Sequence, residues 1–405
     1  MAVGKWFFSI PLAINLGIML SFFVLGIIAA QQDLLWRADF TAFYTGGAIV
    51  RDGLGKDLYD LELQTRYQQQ ILDGRSFLDG LLSFNYPPYG ALIYSALAVF
   101  PLPVAYTVQF FFQVGLLGCL LRAMWNFGKN WDGEERALWL TGILAFYPLL
   151  VNMLLGALSL LVLLCFLLWF RAIKEKRELA VGLWLLPVTL KPQTAVVPFL
   201  VTLFSRRWKA LAIAATGCLA IILLTIVWLG PRIWLDFIEI LSFSSAAFDE
   251  YGINPSVMYN FKGTLAIWLG AEQKLLINTL SLLGFLFSTG IIGWLWWKRG
   301  EFGQIALDLR MSITLTLSVL FSLHVNPQDG LLLVAPAVIF YNYLHQENLP
   351  RKAYGVFLWL CPPLFLLSEF GIRESLGIRL PVLAMIVLLG WQLWVWRKTF
   401  SQRLA

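Results

Sequence analysis

Residues 210–229 read ALAIAATGCLAIILLTIVWL, twenty positions without a charge. At ~1.5 Å per residue, twenty helical residues cover the ~30 Å of hydrocarbon in a bilayer. No polar stripe recurs at a 3.6-residue period, so a helix built from this stretch is apolar on every face. Such a helix belongs in lipid or in a very large core. The same reading holds for 7–29, 104–121, 156–170 and 275–297. The whole chain agrees: of 405 residues, 59% are hydrophobic and 13% charged, about half the charge of a soluble domain. The expected class is an all-α, polytopic integral membrane protein forming one domain.

Thirteen apolar pieces follow one another from 7–29 to 380–396. Two of them, 179–190 and 194–204, are short and part at Lys191-Pro192-Gln193, where the proline breaks the helix. Basic clusters at 171–177, 206–209, 298–299, 351–352 and 397–403 set orientation, because such links stay in the cytoplasm. With both termini cytoplasmic, twelve spans are expected and one piece fails to cross. That piece is read as 86–100, bounded by Tyr86-Pro87-Pro88 and Pro101, dipping in and out. The scheme keeps 19 of the 30 Lys/Arg inside with only 8 of the 24 Asp/Glu. It puts two long segments outside the plasma membrane. The first, 31–83, carries a helical pattern from Leu61 to Leu72. The second, 230–274, spaces Trp234, Phe237, Ile238 and Leu241 as an amphipathic interfacial helix near 231–242.

The net charge of +6 does not indicate nucleic acid, since the basic residues lie in short clusters between apolar blocks. The four cysteines fall one to an apolar segment and read as small buried hydrophobes. No cofactor or metal is expected. There is no His/Cys pair, the acids of Asp57-Leu58-Tyr59-Asp60 have two residues between them, and no glycine-rich phosphate loop is present.

Ionisable residues at membrane depth or at a helix mouth are costly and mark function. Asp39, in Arg37-Ala38-Asp39-Phe40, lies just beyond the first span, near Tyr44 and the close-approach pair Gly46-Gly47; it reads as a carboxylate at the outer mouth or as the partner of Arg37. Lys191 reads as a phosphate-binding ammonium at a helix break or as a snorkelling lysine. His324 shares a short link with Asn326, Gln328 and Asp329, and reads as a phosphate donor or as a turn histidine. Tyr86, in Phe84-Asn85-Tyr86-Pro87-Pro88-Tyr89, reads as a stiff stacking platform for sugar or lipid or as part of an interfacial aromatic belt.

Taken in order, these features resemble glycosyltransferase family 87, the polyprenol-phosphate-mannose-dependent α-mannosyltransferases with the GT-C membrane fold. The matching pieces are Ala38-Asp39-Phe40, Leu58-Tyr59-Asp60, Tyr86-Pro87-Pro88, Leu190-Lys191-Pro192-Gln193 with Arg206-Arg207-Trp208, Met258-Tyr259-Asn260, and Leu323-His324 with Asp329. Two places depart from the family pattern: Gly156-Ala157, where Gly-Gln is usual, and Leu323, where proline is common. The resemblance implies an inverting transfer of a sugar, mannose by default, from a polyprenyl-phosphate donor to a lipid or glycan hydroxyl on the outer face. Asp39 would be the general base, with Lys191 and His324 on the donor phosphate. Tyr44, Tyr86, Asn260 and Asp329 would line the substrates. A transporter or flippase of lipid-linked intermediates is the competing class, and a silent membrane scaffold a third. A transporter commonly shows two related halves, and no internal repeat is visible in the sequence.

Overall fold

The computed structural model describes residues 2–31, 39–74, 81–246, 253–297, 304–369 and 377–404. Among them every regular element is helical. The order begins α1 (Ala2–Gln31), α2 (Asp39–Arg51), α3 (Leu61–Ile71), α4 (Pro88–Ser95), α5 (Leu102–Phe127) and α6 (Gly133–Leu144). It continues α7 (Tyr147–Leu155), α8 (Ser159–Lys174), α9 (Glu178–Val188), α10 (Pro192–Phe204), α11 (Trp208–Leu229) and α12 (Ile233–Ala246). The last six are α13 (Phe261–Leu269), α14 (Lys274–Trp297), α15 (Gln304–Leu320), α16 (Val334–Gln346), α17 (Lys352–Leu367) and α18 (Leu380–Leu404).

The expected all-helical class with apolar spans is observed, and among the described residues fewer than twelve helices have the length of a span. Five stretches are long and apolar enough to cross a bilayer: Ser9–Gly26, Leu102–Phe127, Trp208–Leu229, Ala271–Trp297 and Leu380–Thr399. A sixth arises if α6 and α7, bent by 44° at their junction, count as one. Other apolar pieces are shorter helices whose flanks meet protein. α8 buries twelve side chains over 16 residues, and α16 buries ten over 13. A 13-residue helix reaches only ~20 Å. In α8 and α16 apolarity on every face accompanies burial against protein, which hydropathy cannot separate from lipid exposure. The piece expected not to cross, 86–100, contains only the eight-residue α4.

By contacts the chain forms two compact units. Unit I comprises Met1–Ile27, Leu117–Val151 and Ser256–Ala405; unit II comprises Ile28–Leu116 and Asn152–Pro255. In unit I, α15 packs on α16 and α18, and α17 on α6. In unit II, α8 and α11 both pack on α9, and α2 packs on α4.

The segment 31–83 holds the expected α3, started by Asp60, whose Oδ1 accepts from the Leu63 amide at 2.9 Å. It also holds α2, which the sequence reading took as loop. α2 buries Phe40 through Ile49 without interruption. Glycine makes this possible: a Cβ on Gly47 would stand 2.6 Å from the Tyr94 carbonyl carbon, and one on Gly46 would stand 2.9 Å from the Phe84 ring. The Gly46-Gly47 pair therefore admits α4 and Phe84. A helix is present in the second segment, 230–274, as α12, with Ile233, Phe237 and Ile240 buried. Ile238, on the expected apolar stripe, is exposed. Cys165 is buried as expected, whereas Cys119 is exposed on α5.

Candidate active site

Unit II carries Asp39, Tyr44, Tyr86 and Lys191. Asp39 is half-buried and opens α2, where the unpaired amides of a first helical turn favour a carboxylate. Phe40, the next residue, stands edge-on to the Tyr94 ring at 6.1 Å, which brings the start of α2 beside α4. Arg37 lies outside the described residues, so its pairing with Asp39 does not enter.

Lys191 precedes α10, with Pro192 supplying the fixed φ of a first helical position. Its side chain is 2% exposed, and Nζ donates to Ser159 Oγ at 3.0 Å. Ser159 is the first residue of α8. The turn leading into it is held by Asn152, whose carbonyl accepts from the Ala157 amide at 3.0 Å and whose Oδ1 accepts from the Leu160 amide at 3.2 Å. Asn152 is fixed in turn, donating to Gln113 Oε1 at 2.6 Å. At the other end of the turn Gly156 has φ +69°, and a Cβ there would stand 2.8 Å from Phe40 Cβ. Phe40, the residue after Asp39, and the Lys191 ammonium thus meet opposite ends of one four-residue turn, 156–159.

Tyr44 and Tyr86 sit in the aromatic packing around that turn. The Tyr44 hydroxyl donates to the Phe100 carbonyl at 2.8 Å. The Tyr86 ring stands edge-on to Phe43 at 4.5 Å, and the Tyr86 carbonyl accepts from the Tyr59 hydroxyl at 2.7 Å. Tyr89, from the same aromatic-proline run, shares a 2.6 Å hydrogen bond with Thr189, two residues before Lys191.

Unit I carries Asn260, His324 and Asp329, and binds their segments together. The Tyr259 amide donates to the Val325 carbonyl at 2.8 Å, and Asn260 Nδ2 donates to the Ser322 carbonyl at 2.8 Å. Asn260 Oδ1 caps α13 by accepting from the Gly263 amide at 2.8 Å. Asp329, 2% exposed, accepts from the Asn326 amide at 3.1 Å within a capping box. Asn260 and Asp329 therefore shape the loop in which half-buried His324 lies.

Sequence reasoning passed over three polar residues. Ser159 followed the anomalous Gly156-Ala157 pair, which was its only signal. Lys262 is buried, and burial pushes its ammonium pKa down. Arg379, 1% exposed, donates to the Ser256 carbonyl at 2.8 Å and to Glu369 Oε1 at 3.0 Å. Glu369 Oε1 also accepts from the Tyr259 hydroxyl at 2.6 Å. No group of three or more metal-ligating side chains occurs among the described residues.

The family model Glycosyltransferase family 87 matches residues 84–322. The match includes Tyr86, Lys191 and Asn260, while Asp39, Tyr44, His324 and Asp329 lie outside it. No curated protein and no solved structure matches the chain. More than half of the sequence falls within the family match, and its apolar helices are those of a membrane protein: the chain belongs to glycosyltransferase family 87.

Proposed function

We propose that this membrane glycosyltransferase moves mannose from a polyprenyl-phosphate donor to a lipid or glycan hydroxyl on the outer face of the plasma membrane. Asp39 takes the hydroxyl proton as the acceptor oxygen attacks the anomeric carbon from the side opposite the phosphate. The bond from that carbon to the phosphate oxygen breaks, the configuration inverts, and polyprenyl phosphate leaves. Lys191 and His324 neutralise the charge that develops on the leaving group. Tyr86, Asn260 and Asp329 hold the loops around the substrates. Twelve crossings and a GT-C architecture belong to the same proposal.

One observation supports this reading most: Lys191 is a buried ammonium at the joint where α8 and α10 both begin, tied through the 156–159 turn to the region of Asp39. Helix N-termini and a fixed cation together suit a phosphate, and a nearby carboxylate suits a base. The test is incubation of the purified protein in detergent with radiolabelled polyprenyl-phosphate mannose and a glycolipid acceptor. Label is expected in the acceptor. Movement of the lipid that needs sealed vesicles, with no label transferred, would overturn the proposal in favour of a transporter.

A further inference from the structure

A cleft of about 610 Å³ opens in unit II between the Gly55–Asp57 turn and the start of α12. Its charged lining is four carboxylates, Asp57, Asp60, Asp236 and Glu239, against two cations, Lys56 and Arg232. Arg232 is paired to Asp236 at 2.9 Å and stands 4.0 Å from Glu239. Tyr59 and Phe243 add rings to the wall. The Tyr59 hydroxyl donates to the Tyr86 carbonyl, and the Tyr59 ring packs on Phe84 and Phe237.

The cleft's position is as informative as its lining. Leu229, the last residue of α11, forms part of the wall, and α11 is a candidate span. The outer side of that last turn is apolar and bare, with Val227 80% and Trp228 70% exposed; on α12, Leu235 and Ile238 are exposed likewise. A polar cleft thus adjoins a surface suited to hydrocarbon, the arrangement expected where an amphipathic helix lies at the membrane interface.

We propose that this cleft is the acceptor subsite, and that it takes a neutral, hydroxyl-rich glycan headgroup carried on a lipid. This rests on the glycosyl-transfer reading above and adds the place and charge class of the acceptor. Several hundred cubic ångströms is the size of a small-molecule site. Carboxylates accept hydroxyl hydrogens in short, strong bonds, and ring faces pack against the apolar faces of sugars. The excess of negative charge repels a phosphate, so the cleft discriminates against the anionic donor and leaves that donor to the cations elsewhere.

The test is photocrosslinking of the full-length protein in detergent with an octyl α-mannoside carrying a diazirine, followed by peptide mapping. Label is expected within 56–61 and 229–243. Unlabelled octyl mannoside should displace it and octyl phosphate should not. Asp57→Asn combined with Glu239→Gln changes two exposed residues, leaves folding intact by thermal melting, and should weaken labelling and raise the acceptor KM about tenfold with the donor KM unchanged. Label confined to other peptides, or equal displacement by octyl phosphate, overturns the assignment. Crosslinking is read without turnover, so mapped label with no sugar transfer defeats the functional reading alone, and transfer with label elsewhere defeats the cleft alone.

Discussion

The Lys191 ammonium donates to the Ser159 hydroxyl at 3.0 Å, joining the break between α9 and α10 to the first residue of α8. The contact fixes where a buried positive charge sits, which a snorkelling lysine would not do. Lys191→Ala in a folded protein is expected to raise the donor KM and lower turnover, a loss of ~2–4 kcal/mol in transition-state stabilisation. Lys191→Arg should restore part of it. Ser159→Ala keeps the charge but removes its tether, and should lose ~1 kcal/mol. Donor titrations check all three, and normal kinetics for Lys191→Ala would exclude a role on the phosphate.

Asp39→Asn keeps the size of the side chain and its place in the first turn of α2, but removes its basicity. Turnover should fall by ~10²–10⁴-fold, the usual contribution of general-base catalysis. Binding of the polyprenyl-phosphate sugar and the melting temperature should stay as in the parent. Near-normal transfer by this variant rules Asp39 out as the base.

Gly47→Ala puts a methyl group where the Tyr94 backbone already is, and main chain cannot rotate aside. The expected loss is ~1–3 kcal/mol of stability, read as a lower melting temperature in detergent. Gly53→Ala, with open space around its Cβ but φ +79°, serves as a control for backbone strain alone. Should Gly47→Ala melt with the parent, α2 and α4 are not in the contact described.

Arg379→Ala strands Glu369 and leaves the Ser256 carbonyl without this donor. Breaking a pair with one partner so deeply buried should cost ~3 kcal/mol. Because Glu369 also holds the Tyr259 hydroxyl, Tyr259→Phe should be milder, ~1 kcal/mol. Thermal unfolding of both variants gives the order, and the reverse order would mean that Tyr259 anchors the segment.

Orientation is tested by single cysteines in a chain whose own four are changed to alanine. Glu62 and Lys176 are both exposed on the protein. An impermeant thiol reagent added from outside should label Glu62→Cys at once and Lys176→Cys only after permeabilisation. Equal labelling contradicts the orientation drawn from the Lys/Arg distribution.

The residues that announced themselves in the sequence are those whose local chemistry is decisive. Pro192 after Lys191 ended one helix and began another, and Asp60 capped α3 where the pattern from Leu61 began. Within Phe40 to Ile49 only Tyr44 and the Gly46-Gly47 pair stood out, because a ten-residue buried run is too short for a span and too apolar for a surface helix. Its meaning depends on Tyr94 and Phe84, which the chain brings to Gly46 and Gly47 from about forty positions away. The helices α8, α15 and α16 have the composition of membrane spans, while protein covers much of their surface, a neighbour that composition does not name. Ser159 and Arg379 were invisible because their value lies in a partner, Lys191 or Glu369, that only the fold supplies.

The Lys191 site also bears on how the chain enters the bilayer. At ~16 and ~20 Å, α9 and α10 are each shorter than the ~30 Å of hydrocarbon, and a lysine buried between them is costly unless a partner receives it. The hydroxyl that receives this lysine belongs to α8, which leaves the ribosome first. Vectorial synthesis therefore delivers the acceptor before the charge, and the 179–204 stretch can be handed to the membrane against a partner already in place. Moving Ser159 to a later segment would preserve the contact on paper while forcing the insertion machinery to lodge an unescorted ammonium.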